Sequence, residues 1–183
     1  MKRLSLFFIF TLTWCTYVAG LEIQFTEIQW DKGVFSYRYS VDLNASKNQI
    51  LKVLTSFEGY TALNKNILKS EVVRKYEENH IKRRITMKKC IIKFCFNLQL
   101  TEAVIVSKAT IKSEIIANHS TFYEGNSFWE IRPLSPNKSI VNMTGSLKPK
   151  FWIPPIIGPF LMERIFIKEV SEIMKNVEAL AKI

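Results

Sequence analysis

LKPKFWIPPIIGPFLMERIFIKEVSEIMKNVEALAKI, residues 147–183, passes from strand to helix within a few residues. Phe151 and Trp152 close an extended segment, and Pro154 and Pro155 forbid its continuation. Pro159 after Gly158 suits the first position of a helix, where a backbone N–H would have no partner anyway. From Phe160 onward the apolar residues Phe160, Leu161, Ile165, Phe166, Val170, Ile173, Met174, Val177, Leu180 and Ala181 recur at spacings of three and four, which is one stripe. Glu163, Lys168, Glu169, Glu172, Lys175 and Glu178 fall mostly off it. A helix reaching Lys182 has about 24 residues and a length of roughly 36 Å. An apolar stripe that long must be covered, and the preceding sequence supplies a sheet.

In residues 34–43, Phe35, Tyr37, Tyr39, Val41 and Leu43 alternate with Ser36, Arg38, Ser40 and Asp42, the pattern of a half-buried antiparallel strand. Upstream, residues 21–33 hold Ile23, Phe25, Ile28 and Trp30 with no decisive period. Ser46 followed by Gln49 has the form of a capping box, and Ile50, Leu51, Val53, Leu54 and Phe57 then follow at helical spacing up to Glu58-Gly59-Tyr60. Residues 67–76, 80–89, 90–106, 109–117, 120–124, 127–134 and 139–147 suit strands. Turns are expected at Glu77-Glu78-Asn79, Glu124-Gly125-Asn126 and Ser135-Pro136-Asn137. The expected fold is α+β: a curved antiparallel sheet of six or seven strands wrapped around a long C-terminal helix, with a short helix after the first strand. A strongly curved sheet cannot lie flush along a straight helix, so the gap is filled by large side chains or left as a pocket.

Residues 1–20 read as a secretion signal and residues 21–183 as one domain. Lys2 and Arg3 form the positive end, residues 4–14 an apolar run short for a bilayer span, and Val18 and Gly20 the small residues of a cleavage site after Ala19 or Gly20. Two other readings compete: a lipoprotein acylated at Cys15, which the bulky Trp14 disfavours, and an uncleaved anchor. Localisation is therefore expected to be exported, periplasmic or secreted. Two of the 26 basic residues and none of the 16 acidic ones lie in the signal, so residues 21–183 carry a formal charge of +8. The densest basic run, Lys82, Arg83, Arg84, Lys88, Lys89 and Lys93, alternates with Ile81, Ile85, Met87, Ile91 and Ile92, as an outer sheet face would. Anionic membrane contact is the functional reading of the same charges. Nucleic acid is not an expected partner of an exported protein.

Four stretches resemble the START-like superfamily, also called SRPBCC or helix-grip proteins, nearest its polyketide-cyclase and coenzyme-Q-binding branch. They are Val41-Asp42-Leu43-Asn44-Ala45-Ser46 into Val53-Leu54; Phe57-Glu58-Gly59-Tyr60-Thr61-Ala62-Leu63-Asn64 into Ser70-Glu71-Val72; Tyr123-Glu124-Gly125 into Trp129-Glu130-Ile131-Arg132-Pro133-Leu134; and Phe151-Trp152-Ile153-Pro154-Pro155-Ile156-Ile157-Gly158-Pro159. Asn64 departs from a proline common in relatives, and secretion departs from the intracellular setting of the best-known members. The resemblance implies a helix-grip fold with a hydrophobic cavity between sheet and C-terminal helix, holding a lipid, quinone or other apolar molecule. Tyr60, Leu63, Trp129, Phe151, Trp152, Ile157, Leu161 and Phe166 are the expected lining, with core packing as the alternative for each. No cofactor is expected beyond such a bound lipid or quinone. The expected partners are that molecule and an anionic membrane surface, with the chain a monomer.

Catalysis has thinner support. His80 and His119 are the only histidines, neither stands in a metal-ligand spacing, and no nucleophile triad or phosphate-cradling glycine loop is present. Glu114, Glu124, Glu130 and Arg132 are the acid–base candidates of a cyclase-like alternative, though strand parity sets Glu130 and Arg132 opposite Trp129. A non-catalytic binder or transporter is the first reading, and an interaction or effector module a further alternative. Outside the signal two cysteines remain, Cys90 and Cys95. Along a straight strand they would stand roughly 16 Å apart on opposite faces, so a disulfide needs a bulge or tight turn between them. Similar paired cysteines occur in sequences that resemble relatives. Disulfide and two free thiols stay open at this level, as does glycosylation of the sequons at Asn44, Asn118, Asn137 and Asn142.

Overall fold

The computed structural model describes residues 21–91, 94–153 and 158–183. The signal reading of residues 1–20, the double proline and Ile157 lie outside the described residues. Eight antiparallel strands form one sheet in the order β1-β2-β8-β7-β6-β5-β4-β3. They are β1 (Glu22–Asp31), β2 (Val34–Leu43), β3 (Ile67–Lys75), β4 (His80–Ile91), β5 (Phe94–Val106), β6 (Thr110–Ile115), β7 (Phe122–Ser135) and β8 (Lys138–Pro149). Helix α1 (Lys47–Thr55) and a 3-10 segment (Phe57–Ala62) carry the chain from β2 to β3 at the far edge, and α2 (Gly158–Ala181) follows β8.

The count of six or seven strands is thus corrected to eight, and the short helix follows the second strand. The strand without a legible period is β1. It pairs only with β2, so most of its positions are exposed, and its register slips between Ile23 and Phe25. Its hairpin turns on Lys32 (φ 47°) and Gly33 (φ 82°), two consecutive left-handed residues that match the twist of the flanking strands. Glu124-Gly125-Asn126 is not a turn. β7 runs through it, paired to β8 at Gly125↔Leu147 and to β6 at Asn126↔Glu114. A Cβ on Gly125 would meet Ile115, Leu147 and the Ser146 carbonyl at 2.8 Å, so glycine lets the neighbouring strands close in there.

A hairpin, not a bulge, brings the two cysteines together. β4 and β5 pair without a slip, Ile85↔Leu100 and Met87↔Leu98, which sets odd residues of one strand beside even residues of the other. Cys90 pairs directly with Cys95 at the end of this hairpin, with Cα atoms 3.9 Å apart and the sulfurs bonded.

Ser46 caps α1 as its spacing implies, with Ser46 N–H donating to Gln49 Oε1 at 3.0 Å and Gln49 N–H to Ser46 Oγ at 3.4 Å. Ile50 and Leu54 of α1 pack into a core with Tyr39, Val41, Leu43, Ile131, Val141, Met174 and Val177. The stripe of α2 is buried unevenly. Val170, Met174, Val177 and Ala181 are buried, whereas Leu161, Ile165 and Phe166 in its first half are only partly covered.

Candidate functional site

The space between sheet and α2 is a cavity of about 160 Å³. Its apolar lining comes from Leu54, Leu63 and Ile67, from Ile173 of α2, and from Ile85, Met87, Leu100, Ile111, Ile115, Trp129 and Leu147 of the sheet, and a polar row shares the space with them. Arg83 and Glu102, a register pair on β4 and β5, both point inward and are each only 7% exposed. Arg83 Nη2 donates to Glu102 Oε2 at 2.6 Å and Nε to the same oxygen at 3.2 Å. Ser113 Oγ donates to Glu102 Oε1 at 3.1 Å, lies 2.9 Å from Ser127 Oγ, and Trp129 Nε1 donates to Ser127 at 3.2 Å. The guanidinium stacks over the rings of Phe57 and Tyr60, 5.0 and 4.7 Å from their centres. Arg83 Nη1 is buried with no hydrogen-bond partner among the described residues.

Electrostatics follow from this geometry. Burial works against the charge of Arg83, but Glu102 beside it outweighs burial and keeps the guanidinium charged. The Tyr37 hydroxyl is pushed up by burial and then by the Glu102 carboxylate, and Tyr60 is pushed up mainly by burial. Both phenols therefore stay neutral, and Tyr60 donates to the Leu54 carbonyl at 2.7 Å.

Of the expected lining, Tyr60, Leu63 and Trp129 face the cavity. Phe166 packs on Tyr37 and Phe35, ring centres 4.5 and 5.4 Å apart, and so braces the wall beside it. Phe151 stacks on Phe96 and Phe122 at 6.2 and 6.0 Å, forming a rim beyond Leu100 and Leu147. Leu161 is half-buried near the start of α2. Trp152 does not line the cavity: it is 78% exposed, because the chain leaves β8 at Pro149 before reaching it.

The acid–base candidates Glu114 and Glu124 are exposed, and Glu130 pairs with Arg132 at 3.4 Å on the outer face. Reading the whole basic run as an outer face was wrong for Arg83. The signal was present, since Ile81, Arg83 and Ile85 share one parity and Leu100, Glu102 and Val104 share another. His80 stacks on Tyr76, and His119 offers only its carbonyl, to Gln99 and Thr101. No group of three His, Cys, Asp or Glu among the described residues could hold a metal ion.

Helix α2 is fastened from Glu169 onward. Glu169 accepts from Asn64 Nδ2 and Asn66 Nδ2, each at 2.8 Å, and from Lys89 Nζ. Asn176 donates to the Leu63 carbonyl, Glu178 accepts from Asn44, and Ser171 meets the Tyr39 hydroxyl. Asn64, standing where relatives often carry proline, is thus part of the fastening. No side-chain hydrogen bond ties Gly158–Ile165 to the sheet among the described residues.

No protein-family model matches the sequence, and no curated protein matches it either. Solved structures do. The chain is similar to the Zhui aromatase/cyclase of a Streptomyces species (TM-score 0.67, 12% identity, 81% of this chain and 94% of that one). It is similar to a STAR-related lipid transfer protein from Xanthomonas axonopodis (0.65, 14%, 86% and 99%). A START superfamily protein from Mycobacterium smegmatis is a further match (0.64, 16%, 80% and 97%). At such identities the likeness is one of fold, and the fold of this chain is START-like.

Proposed function

We propose that this START-like chain is a non-catalytic carrier of one apolar molecule, a lipid or quinone, held between sheet and α2 and oriented by a single polar end. The observation that carries the reading is Arg83 Nη1, a buried charged donor without a hydrogen-bond partner among the described residues, in a cavity whose lining combines apolar side chains with the polar row around Glu102. A buried donor left unpaired costs about 1–3 kcal/mol, which a ligand carbonyl, hydroxyl or carboxylate at Nη1 would recover. Glu102, Ser113 and Ser127 hold the guanidinium in place rather than compete for that nitrogen.

A cavity of about 160 Å³ holds little more than a single ring. Export follows the residues 1–20 reading and belongs to the same proposal. A cyclase-like enzyme is the second reading, favoured by the row Arg83, Glu102, Ser113 and Ser127, which could polarise a carbonyl. A carrier should return its ligand chemically unchanged, which mass analysis of bound material decides.

The test uses delipidated protein and cis-parinaric acid, a fluorescent fatty acid, alongside an uncharged hydrocarbon dye. Saturable one-to-one uptake of both is expected. Leu100→Trp should fill the cavity and abolish it. The double variant Arg83→Met/Glu102→Leu should keep the hydrocarbon dye and lose about 10–100-fold in affinity for the acid. No probe binding to wild type, with nothing co-purifying in native mass spectrometry, would sink the proposal.

A further inference from the structure

The sheet ends in two open edges of opposite charge. β1 forms one and pairs only with β2, and β3 forms the other and pairs only with β4. Along β1 stand Glu22, Glu27 and Asp31 with no cation, whereas β3 carries Lys69, Arg74 and Lys75 against Glu71. Both edges also hold apolar side chains in water: Ile23 is 44% and Phe25 48% exposed on β1, and Leu68 is 56% and Val73 40% exposed on β3. Among the described residues neither strand has a ladder on its outer side, and an edge of that kind is a template for another strand.

We propose that β1 of one molecule adds to β3 of a second copy, carrying the antiparallel sheet across two chains. One register matches the two edges. With Glu27 opposite Lys69, Thr26 meets Ser70, Ile23 meets Val73 and Glu22 meets Arg74. The faces agree, because Thr26 pairs with the buried Tyr39 and Ser70 with the buried Ile85, so both belong to the inner face and Glu27 and Lys69 to the outer. Each strand also carries a bulge at this level: the β1–β2 register slips at Gln24 and the β3–β4 register at Val73. A bulge in one strand alone throws the side chains beyond it to the wrong face. Here the two lie within one rung of each other, so Glu22 and Arg74 beyond them again share the outer face. A further slip of β3 at Leu68 ends the ladder. Pairing β1 with another β1 would set acids against acids, and β3 with another β3 cations against cations, so charge selects the unlike edges. The contact is therefore heterologous and builds a chain of molecules or a ring. So short a ladder falls below the roughly 1,200 Å² of a stable complex, which makes the association reversible and concentration-dependent. Residues 22–27 and 69–74 do not line the cavity, so the pairing is independent of the carrier reading.

Sedimentation velocity of the purified protein over a rising concentration series tests this. Residues 1–20 are common to all variants and drop out of the comparison. The mean mass of wild type should rise with concentration and fall back as salt is added. Glu27→Lys and Lys69→Glu should each weaken association by about fivefold or more, since each replaces an attraction by a repulsion. An equimolar mixture of the two single variants should associate again, because Lys at 27 of one then faces Glu at 69 of the other. The double variant Glu27→Lys/Lys69→Glu should do so by itself. Lys112→Glu, on β6, should match wild type, and thermal melts of all variants should coincide within a few degrees. A wild type that stays monomeric at every soluble concentration would overturn the pairing. So would association that is lost with Glu27→Lys but untouched by Lys69→Glu, which marks a β1–β1 contact, or a mixture that fails to recover.

Discussion

Replacing Arg83 by methionine removes a charge from inside the sheet while keeping the length of the side chain. Arg83 and Glu102 share contacts at 2.6 and 3.2 Å and are each only 7% exposed, so neither charge is relieved by water. Two unit charges about 4 Å apart attract by about 4 kcal/mol at an effective dielectric of 20. Removing one partner strands the other, and such stranding costs about 3–5 kcal/mol. In a domain of this size that lowers Tm by roughly 6–20 °C. Arg83→Met and Glu102→Leu should each show the loss in urea melts at neutral pH. The double variant Arg83→Met/Glu102→Leu should recover to near wild type or exceed it by about 1–4 kcal/mol, since two apolar side chains avoid desolvation altogether. The cycle then yields a large coupling energy. Single losses under about 1 kcal/mol, as at an exposed pair, or a double variant as damaged as the sum of the singles, would refute the argument.

Three further outcomes follow from the same geometry. Burial alone would raise the Glu169 carboxyl, but Lys89, Asn66 and Asn64 hold it below the ordinary carboxylate range, so its contribution is present at neutral pH and lost as pH falls through the depressed value. Glu169→Gln should cost about 1–3 kcal/mol at neutral pH and flatten the acid limb of the stability curve; an unchanged limb in urea melts would contradict this. Gly145→Ala should destabilise by about 1–3 kcal/mol in thermal melts, because its Cβ would meet Tyr37 Cζ at 2.7 Å and push the ring toward the cavity. Thiol counting under denaturing, non-reducing conditions should find Cys90 and Cys95 blocked. Serine at both should cost no more than about 2 kcal/mol, since the bond closes only a short loop; free thiols on both would remove the bond.

Much of this architecture was legible because its signals are local. The Ser46–Gln49 cap and the alternation of residues 34–43 depend on neighbours a few positions away and stand as read, and the helix of residues 158–181 forms as its spacing implies, though Phe160 and Leu180 of its stripe are exposed. β1 was illegible because an edge strand needs no buried face and so imposes no period. β7 was read as two strands because Gly125 signals a turn, and only the flanking β6 and β8 show that it is a point of close approach. Trp152 was placed in the cavity by adjacency to the helix start, but adjacency does not say which way a side chain points.

The chain's own periodicity therefore determined that an antiparallel sheet would meet one long amphipathic helix, with a pocket or a packed core between them. The tertiary structure alone decided what occupies that space. Arg83 and Glu102 are 19 positions apart, and only strand register sets them side by side with Ser113 and Ser127. The half-covered start of α2 was equally invisible, since the apolar pattern runs from Phe160 to Ala181 while the buried positions of the stripe are Val170, Met174, Val177 and Ala181. Inter-strand register is a long-range property, and through it the strands and Ile173 of α2 come to enclose one cavity.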